Sequence, residues 1–156
     1  MKTTYRTAAH AKRKYMADPF AMYKAVARST GFNRDEQIQC ALPVRKSWFA
    51  LTNGHASSND INTLSDVIAI CIVATQNMDA LVQETCDAAR LALAEVADRY
   101  TRVKRWGVDA KALQDIPPII DLYEELLRNA TGQQFEEWIG AVRGIEGKML
   151  DRGVSA

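Results

Sequence analysis

The chain has 156 residues, 47% of them apolar and 25% charged, and a formal net charge of +1. These values suit one folded domain with enough apolar material for its own core, and they exclude disorder as the general state. A near-neutral total gives no global reason to expect nucleic acid or an anionic membrane, and three cysteines without CxxC spacing exclude a disulfide framework or a zinc site.

Charge is nevertheless spread unevenly. Residues 1–46 carry ten Lys/Arg against three acids, whereas residues 107–156 carry nine acids against five bases. The two ends can face each other or water, or the basic end can serve as an arm that binds a partner. Residues 1–17 form that arm, with Arg6, His10 and the run Lys12, Arg13, Lys14. They lack the apolar segment of a secretory signal. Together with the expected lack of a disulfide framework, this leads us to expect a cytoplasmic protein.

Asp18-Pro19 reads as an N-cap followed by proline at the first helical position. It opens a helix over about 19–29, with Phe20, Tyr23, Val26 and Ala27 on one face and Gly31 just beyond. Asn33 and Glu36 form a capping box for the next helix, which carries Ile38, Ala41 and Leu42 and which Pro43 breaks or kinks. Helical spacing resumes from Val44 to Thr52, and Asn53-Gly54 stops it.

Between Gly54 and Gly107 there is neither glycine nor proline. Apolar residues recur there at steps of three and four, as on a helix stripe: Ile61, Leu64, Ile68, Cys71, then Val82, Cys86, Ala89, Leu93, Val96, Tyr100 and Val103. The Ser57–Asp60 segment offers N-caps for a helix over about 60–76, and a second helix spans about 79–105. Joined end to end they would make a rod about 69 Å long, against a radius of gyration near ~15 Å for a chain of this size. A reversal at Thr75–Asp79 is therefore expected, with a domain-swapped rod as the alternative. On the outer face of the second helix, Glu95 with Arg99 and Asp98 with Arg102 are expected to pair.

The last third begins with a short turn over 109–115. A helix over about 118–129 follows, with Ile119, Leu122, Tyr123, Leu126 and Leu127 facing inward. Thr131 and Gln134 form another capping box for a closing helix that ends near Leu150, leaving a frayed tail over 151–156. Its stripe is Phe135, Trp138, Ile139, Val142, Ile145 and Met149. Nothing alternates with period two for long. The fold class is therefore all-α: a single-domain bundle of about six helices over residues 18–150, built around a long antiparallel helical hairpin.

Motifs of chemistry are lacking. His10 and His55 have no partners at metal-ligand spacing, no serine sits in a nucleophile elbow, and no glycine-rich phosphate loop occurs. Glu124-Glu125 and Glu136-Glu137 read as solvated faces, and Gly140 with Gly144 as a site of close helix packing or of local weakening. No catalytic, cofactor-binding or metal-binding residue is assigned. No stretch approaches the roughly twenty apolar residues of a membrane span.

Two aromatics follow paired bases: Trp48 after Arg45 and Lys46, and Trp106 after Lys104 and Arg105. Such a pairing suits stacking on a nucleic-acid base with the cations on phosphate. It equally suits an aromatic closing one end of a bundle under Lys/Arg stems. A helix-turn-helix is the further nucleic-acid alternative, formed by helices 19–29 and 34–42 with Arg34, Gln37 and Gln39 presented to base edges.

The segments Trp48–Gly54, Arg105–Asp109, Ala112–Gln114 and Leu122–Leu127 resemble small uncharacterised helical proteins of proteobacterial prophages and plasmids. The resemblance covers about residues 44–130. It implies a mobile-element setting and transfers no active site. The expectation is a non-enzymatic binding or accessory protein acting through protein contacts or self-association. The alternative is a nucleic-acid-binding regulator using Arg6, Lys12, Arg13, Lys14, Arg45, Lys46 and Trp48.

Overall fold

The computed structural model describes residues 31–154, and of 145–154 only the helical backbone. The described residues form six helices: α1 (Arg34–Thr52), α2 (Ser58–Thr75), α3 (Ala80–Val103), α4 (Ala110–Asp115), α5 (Pro117–Asn129) and α6 (Gly132–Val154). Apart from one isolated bridge between Gly31 and Thr131, they hold no β-structure. The all-α reading is correct.

Local chemistry starts most of these helices. The Asn33 side chain accepts from the Glu36 N–H while Glu36 accepts from the Asn33 N–H, both at 2.9 Å. Ser57 and Asp60 make the same reciprocal pair at the start of α2. At α6 the Thr131 N–H donates to the Gln134 side chain at 3.0 Å, and Thr131 Oγ1 accepts from the Gln134 N–H at 3.2 Å. Each box satisfies two backbone donors that the first turn would otherwise leave orphaned.

Of the break or kink expected at Pro43, the break does not occur: α1 is one helix of 19 residues. Proline removes the hydrogen bond to the carbonyl four residues earlier. Here both Pro43 and Gln39 are exposed, so water can take up the freed carbonyl. The expected turn over 109–115 is the short helix α4, capped by Asp109, which accepts from the Ala112 N–H at 2.8 Å. Helix α6 runs to Val154 instead of ending near Leu150, since no proline interrupts it.

The middle of the chain reverses into a hairpin. The turn closes with Met78 N–H on Thr75 O at 2.9 Å. Gln83 clamps it, donating from Nε2 to the carbonyls of Gln76 and Met78 at 3.0 Å each. Helix α2 is the hub and packs against α1, α3, α5 and α6. This explains its mostly apolar circumference, with Ile61, Leu64, Val67, Ile68, Ile70 and Cys71 buried.

A second focus lies where the described chain begins. Phe135 is fully buried, and its ring meets Phe32 at 5.4 Å, Tyr123 at 5.8 Å and Trp138 at 5.4 Å, all edge-on. Edge-to-face aromatic pairs contribute about 0.5–1.5 kcal/mol each beyond their buried area. The cluster fastens Phe32, just before α1, to α5 and α6.

Candidate interaction surface

Helix α1 carries two apolar stripes. Cys40, Val44, Ser47 and Leu51, at steps of four, three and four, face the core. Ile38, Leu42, Arg45 and Phe49 repeat the same steps two residues earlier, which places them about 200° around the helix. This second stripe is exposed: 53% at Ile38, 62% at Leu42 and 64% at Phe49. Apolar side chains of this size in one row differ from scattered surface leucines, which need no explanation.

The N-terminal part of that stripe opens into a groove of about 720 Å³ against α5. Ile38, Ala41, Leu42 and Leu127 line it, with Arg34, Arg45, Arg128 and Glu124 around them. A second groove of about 300 Å³ runs along the outside of the α2–α3 hairpin. From α2 it takes Ile61, Ser65, Ile68, Ala69 and Ile72, and from α3 Leu93, Ala94 and Ala97, with Arg90 as its one charged member. Small side chains in the row keep the two backbones accessible, which is what a helix laid into a groove requires.

The predicted phosphate-binding set is only partly placed. Arg6, Lys12, Arg13 and Lys14 lie outside the described residues, as does the first helix of the supposed helix-turn-helix. Arg45 is not a free cation, as the sequence suggests, but a strap to α5. Its Nε donates to Glu124 at 2.6 Å and its Nη2 to Asp121 at 2.9 Å. The hydrogen bond to Glu124 outweighs partial desolvation and pushes the guanidinium pKa above its ordinary value. Glu124 is accordingly no idle solvated carboxylate.

Lys46 is exposed, whereas Trp48 is half-buried against the core. Trp106 lies stacked on Tyr100, with ring centroids 3.9 Å apart and planes 11° from parallel, and Lys104 Nζ stands 6.0 Å from the Tyr100 ring. One face of that indole is already occupied, which matches the bundle-end reading. On the candidate recognition helix, Gln37 turns back to donate to the Phe32 carbonyl at 2.8 Å.

The cysteine thiols are sealed in. Cys40, Cys71 and Cys86 form no disulfide and are buried. Burial, with help from Glu36, pushes the Cys40 thiol up to about 12, and burial also raises Cys71 and Cys86. Thiols in this state stay protonated at neutral pH and are poor nucleophiles. Among the described residues no group of three or more His, Cys, Asp or Glu side chains is placed to hold a metal ion, and no helix is long and apolar enough to cross a membrane.

The comparisons with known proteins add no relative. No family model, curated protein or solved structure matches the chain.

Sequence reasoning missed both grooves. The outward stripe of α1 was hidden because Ile38, Ala41 and Leu42 were grouped as the apolar residues of a short helix, and the break or kink expected at Pro43 splits the repeat 38–42–45–49; Ile38 and Leu42 are exposed. A signal for the second groove was present in Ser65, Ala69, Ala94 and Ala97, small residues at helical spacing to which the sequence reading gave no role.

Proposed function

We propose that this is a non-enzymatic binding protein of the cytoplasm that acts through protein contacts, as an accessory factor of a mobile element. The groove on the outside of the α2–α3 hairpin carries the reading. The hairpin is the scaffold of the fold, and Ser65, Ala69, Ile72, Ala94 and Ala97 stand along this groove above the buried Ile61, Ile68 and Leu93. The occupant that fits is an amphipathic helix with apolar anchors three and four residues apart.

The test pairs capture with a groove variant. Tagged protein recovered from its native host should carry a stoichiometric partner, and Ala94→Glu should lose it while keeping its helical circular dichroism. Retention of the partner by Ala94→Glu, or turnover of a nucleotide or ester panel that a point substitution abolishes, would overturn the proposal.

The charge bias of residues 1–46 favours a second reading, a nucleic-acid-binding regulator. With Arg45 engaged by carboxylates, that reading falls mainly to Arg6, Lys12, Arg13 and Lys14. It requires binding that weakens steeply with salt and a smaller slope after those lysines and arginines are neutralised. Gel shifts without binding at low salt would remove it.

A further inference from the structure

A cavity of about 450 Å³ lies where the α1–α2 and α3–α4 connections meet. Local backbone chemistry builds it. Lys104, in the left-handed region, ends α3 and turns the chain off the helix axis, and Trp106 folds back to stack on Tyr100. The stack holds the indole as one wall of the cavity, beside Val108. Val103, left 62% exposed, belongs to the same lining. The end of α1 and its turn supply Leu51 and Gly54, and Gly54 has φ 76°, which glycine adopts without strain. Arg105 reaches across to that turn: its Nη2 stands 3.7 Å from where a Cβ on residue 54 would lie.

The charge of this lining has one sign. Arg99 and Arg105 are part of it, and no carboxylate is. Arg99 is tied to Asp109 through Nη2, and the neighbouring Arg102 is paired with Asp98. Arg105 makes neither an ion pair nor a hydrogen bond with any described residue. A guanidinium beside apolar walls, with no carboxylate of its own, can take an external oxyanion in two parallel hydrogen bonds. Apolar walls with a few polar groups that fix orientation are the usual form of a small-molecule site, and the volume is in the usual range. We propose that this cavity binds a small aromatic acid, its carboxylate or phosphate on Arg105 and its ring against Trp106. Arg99 adds a second positive charge, held in place by Asp109. The site shares no residue with the hairpin groove, so either can fail alone.

The experiment is a titration of the full chain with benzoate, phenyl phosphate, inorganic phosphate and the neutral benzamide, followed in nitrogen–proton correlation spectra. Benzoate or phenyl phosphate should move the Trp106 indole N–H and the Gly54 amide signals saturably, and the tighter of the two identifies the acid group. Benzamide and inorganic phosphate each lack half of the contact and should bind roughly tenfold more weakly, or worse. Arg105→Gln should weaken the better acid by roughly tenfold, because a charge-assisted pair is lost. Arg102→Gln should not, since Arg102 does not line the cavity. Signals far from the cavity that stay unshifted in Arg105→Gln separate this loss from unfolding. No saturable shift with either acid would overturn the proposal. Equal weakening by the two substitutions would do the same, as the attraction would then come from general positive charge. So would inorganic phosphate binding as tightly as phenyl phosphate, because the ring would then contribute nothing.

Discussion

Arg45 and Glu124 stand 79 positions apart in the chain and 2.6 Å apart in space, with Asp121 accepting a second hydrogen bond from the same guanidinium. A forked cation between two carboxylates one turn apart fixes the rotation of α1 against α5, and thereby the width of the groove they form. The three side chains are 45%, 28% and 69% exposed, so water screens much of the attraction. Arg45→Ala should destabilise the protein by about 0.5–1 kcal/mol. Denaturant titration of Arg45→Ala, Glu124→Gln and the double variant checks this. The double loss should be smaller than the sum of the single losses. Additive losses would mean that the two groups do not cooperate in solution.

What was legible in the sequence was local. The capping pairs Asn33/Glu36 and Thr131/Gln134 and the reversal near Gln76 follow from residues within a few positions of one another. They form as expected because backbone groups at helix ends have few other partners. The buried stripe of α3 followed from periodicity from Cys86 to Val96, but Val103, read as its last member, is exposed. Pairings between elements were not legible. Arg99 was assigned to Glu95 within one helix, yet it bonds Asp109 at 2.6 Å, and Glu95 instead faces Lys111 at 3.6 Å. Only Asp98 with Arg102 pairs as expected, at 3.4 Å. Long flexible charged side chains choose partners by tertiary position, and helical spacing does not hold that information.

Gly140 and Gly144 lie on the exposed face of α6, and a Cβ added at either would meet nothing within 4 Å. Of the two readings of this GxxxG spacing, close packing is therefore not used here, and the residues only loosen the helix. Gly140→Ala and Gly144→Ala should each raise stability by about 0.5–1 kcal/mol, because alanine gives up less backbone freedom on folding. Thermal melts of the single variants measure this. A drop in midpoint would show that a partner's backbone needs the space.

Lys104 ends α3 with φ 55°, in the left-handed region, and its N–H donates to the Tyr100 carbonyl at 2.8 Å. A residue with a Cβ pays about 1–2 kcal/mol to adopt that conformation, and glycine adopts it freely. Lys104→Gly should therefore stabilise the native state, offset only in part by the loss of the lysine stem beside Tyr100. Lys104→Ala keeps the strain and should show no such gain. Comparing the two in urea separates backbone from side chain. A gain in Lys104→Ala equal to that in Lys104→Gly would refute the assignment.

Asp109 joins two tasks at the α3–α4 junction. One carboxylate oxygen accepts the Ala112 N–H at 2.8 Å and the other accepts Arg99 Nη2 at 2.6 Å. The backbone hydrogen bond first, then the Arg99 contact, hold its pKa below the ordinary 3.8. In the unfolded chain the carboxyl regains its ordinary value and takes up a proton at higher pH than the native one does. The stabilisation it gives is therefore complete above the ordinary carboxylate range. It is lost as pH falls through that range toward the lowered native value. Asp109→Asn retains an oxygen to cap α4 but cannot hold the charge opposite Arg99. The stability difference between native protein and Asp109→Asn should be largest near neutral pH and should shrink on acidification below about pH 4. Urea unfolding followed by circular dichroism at pH 7 and pH 3 reads this directly. A difference of the same size at both values would assign the effect to side-chain shape and not to the ionised carboxylate.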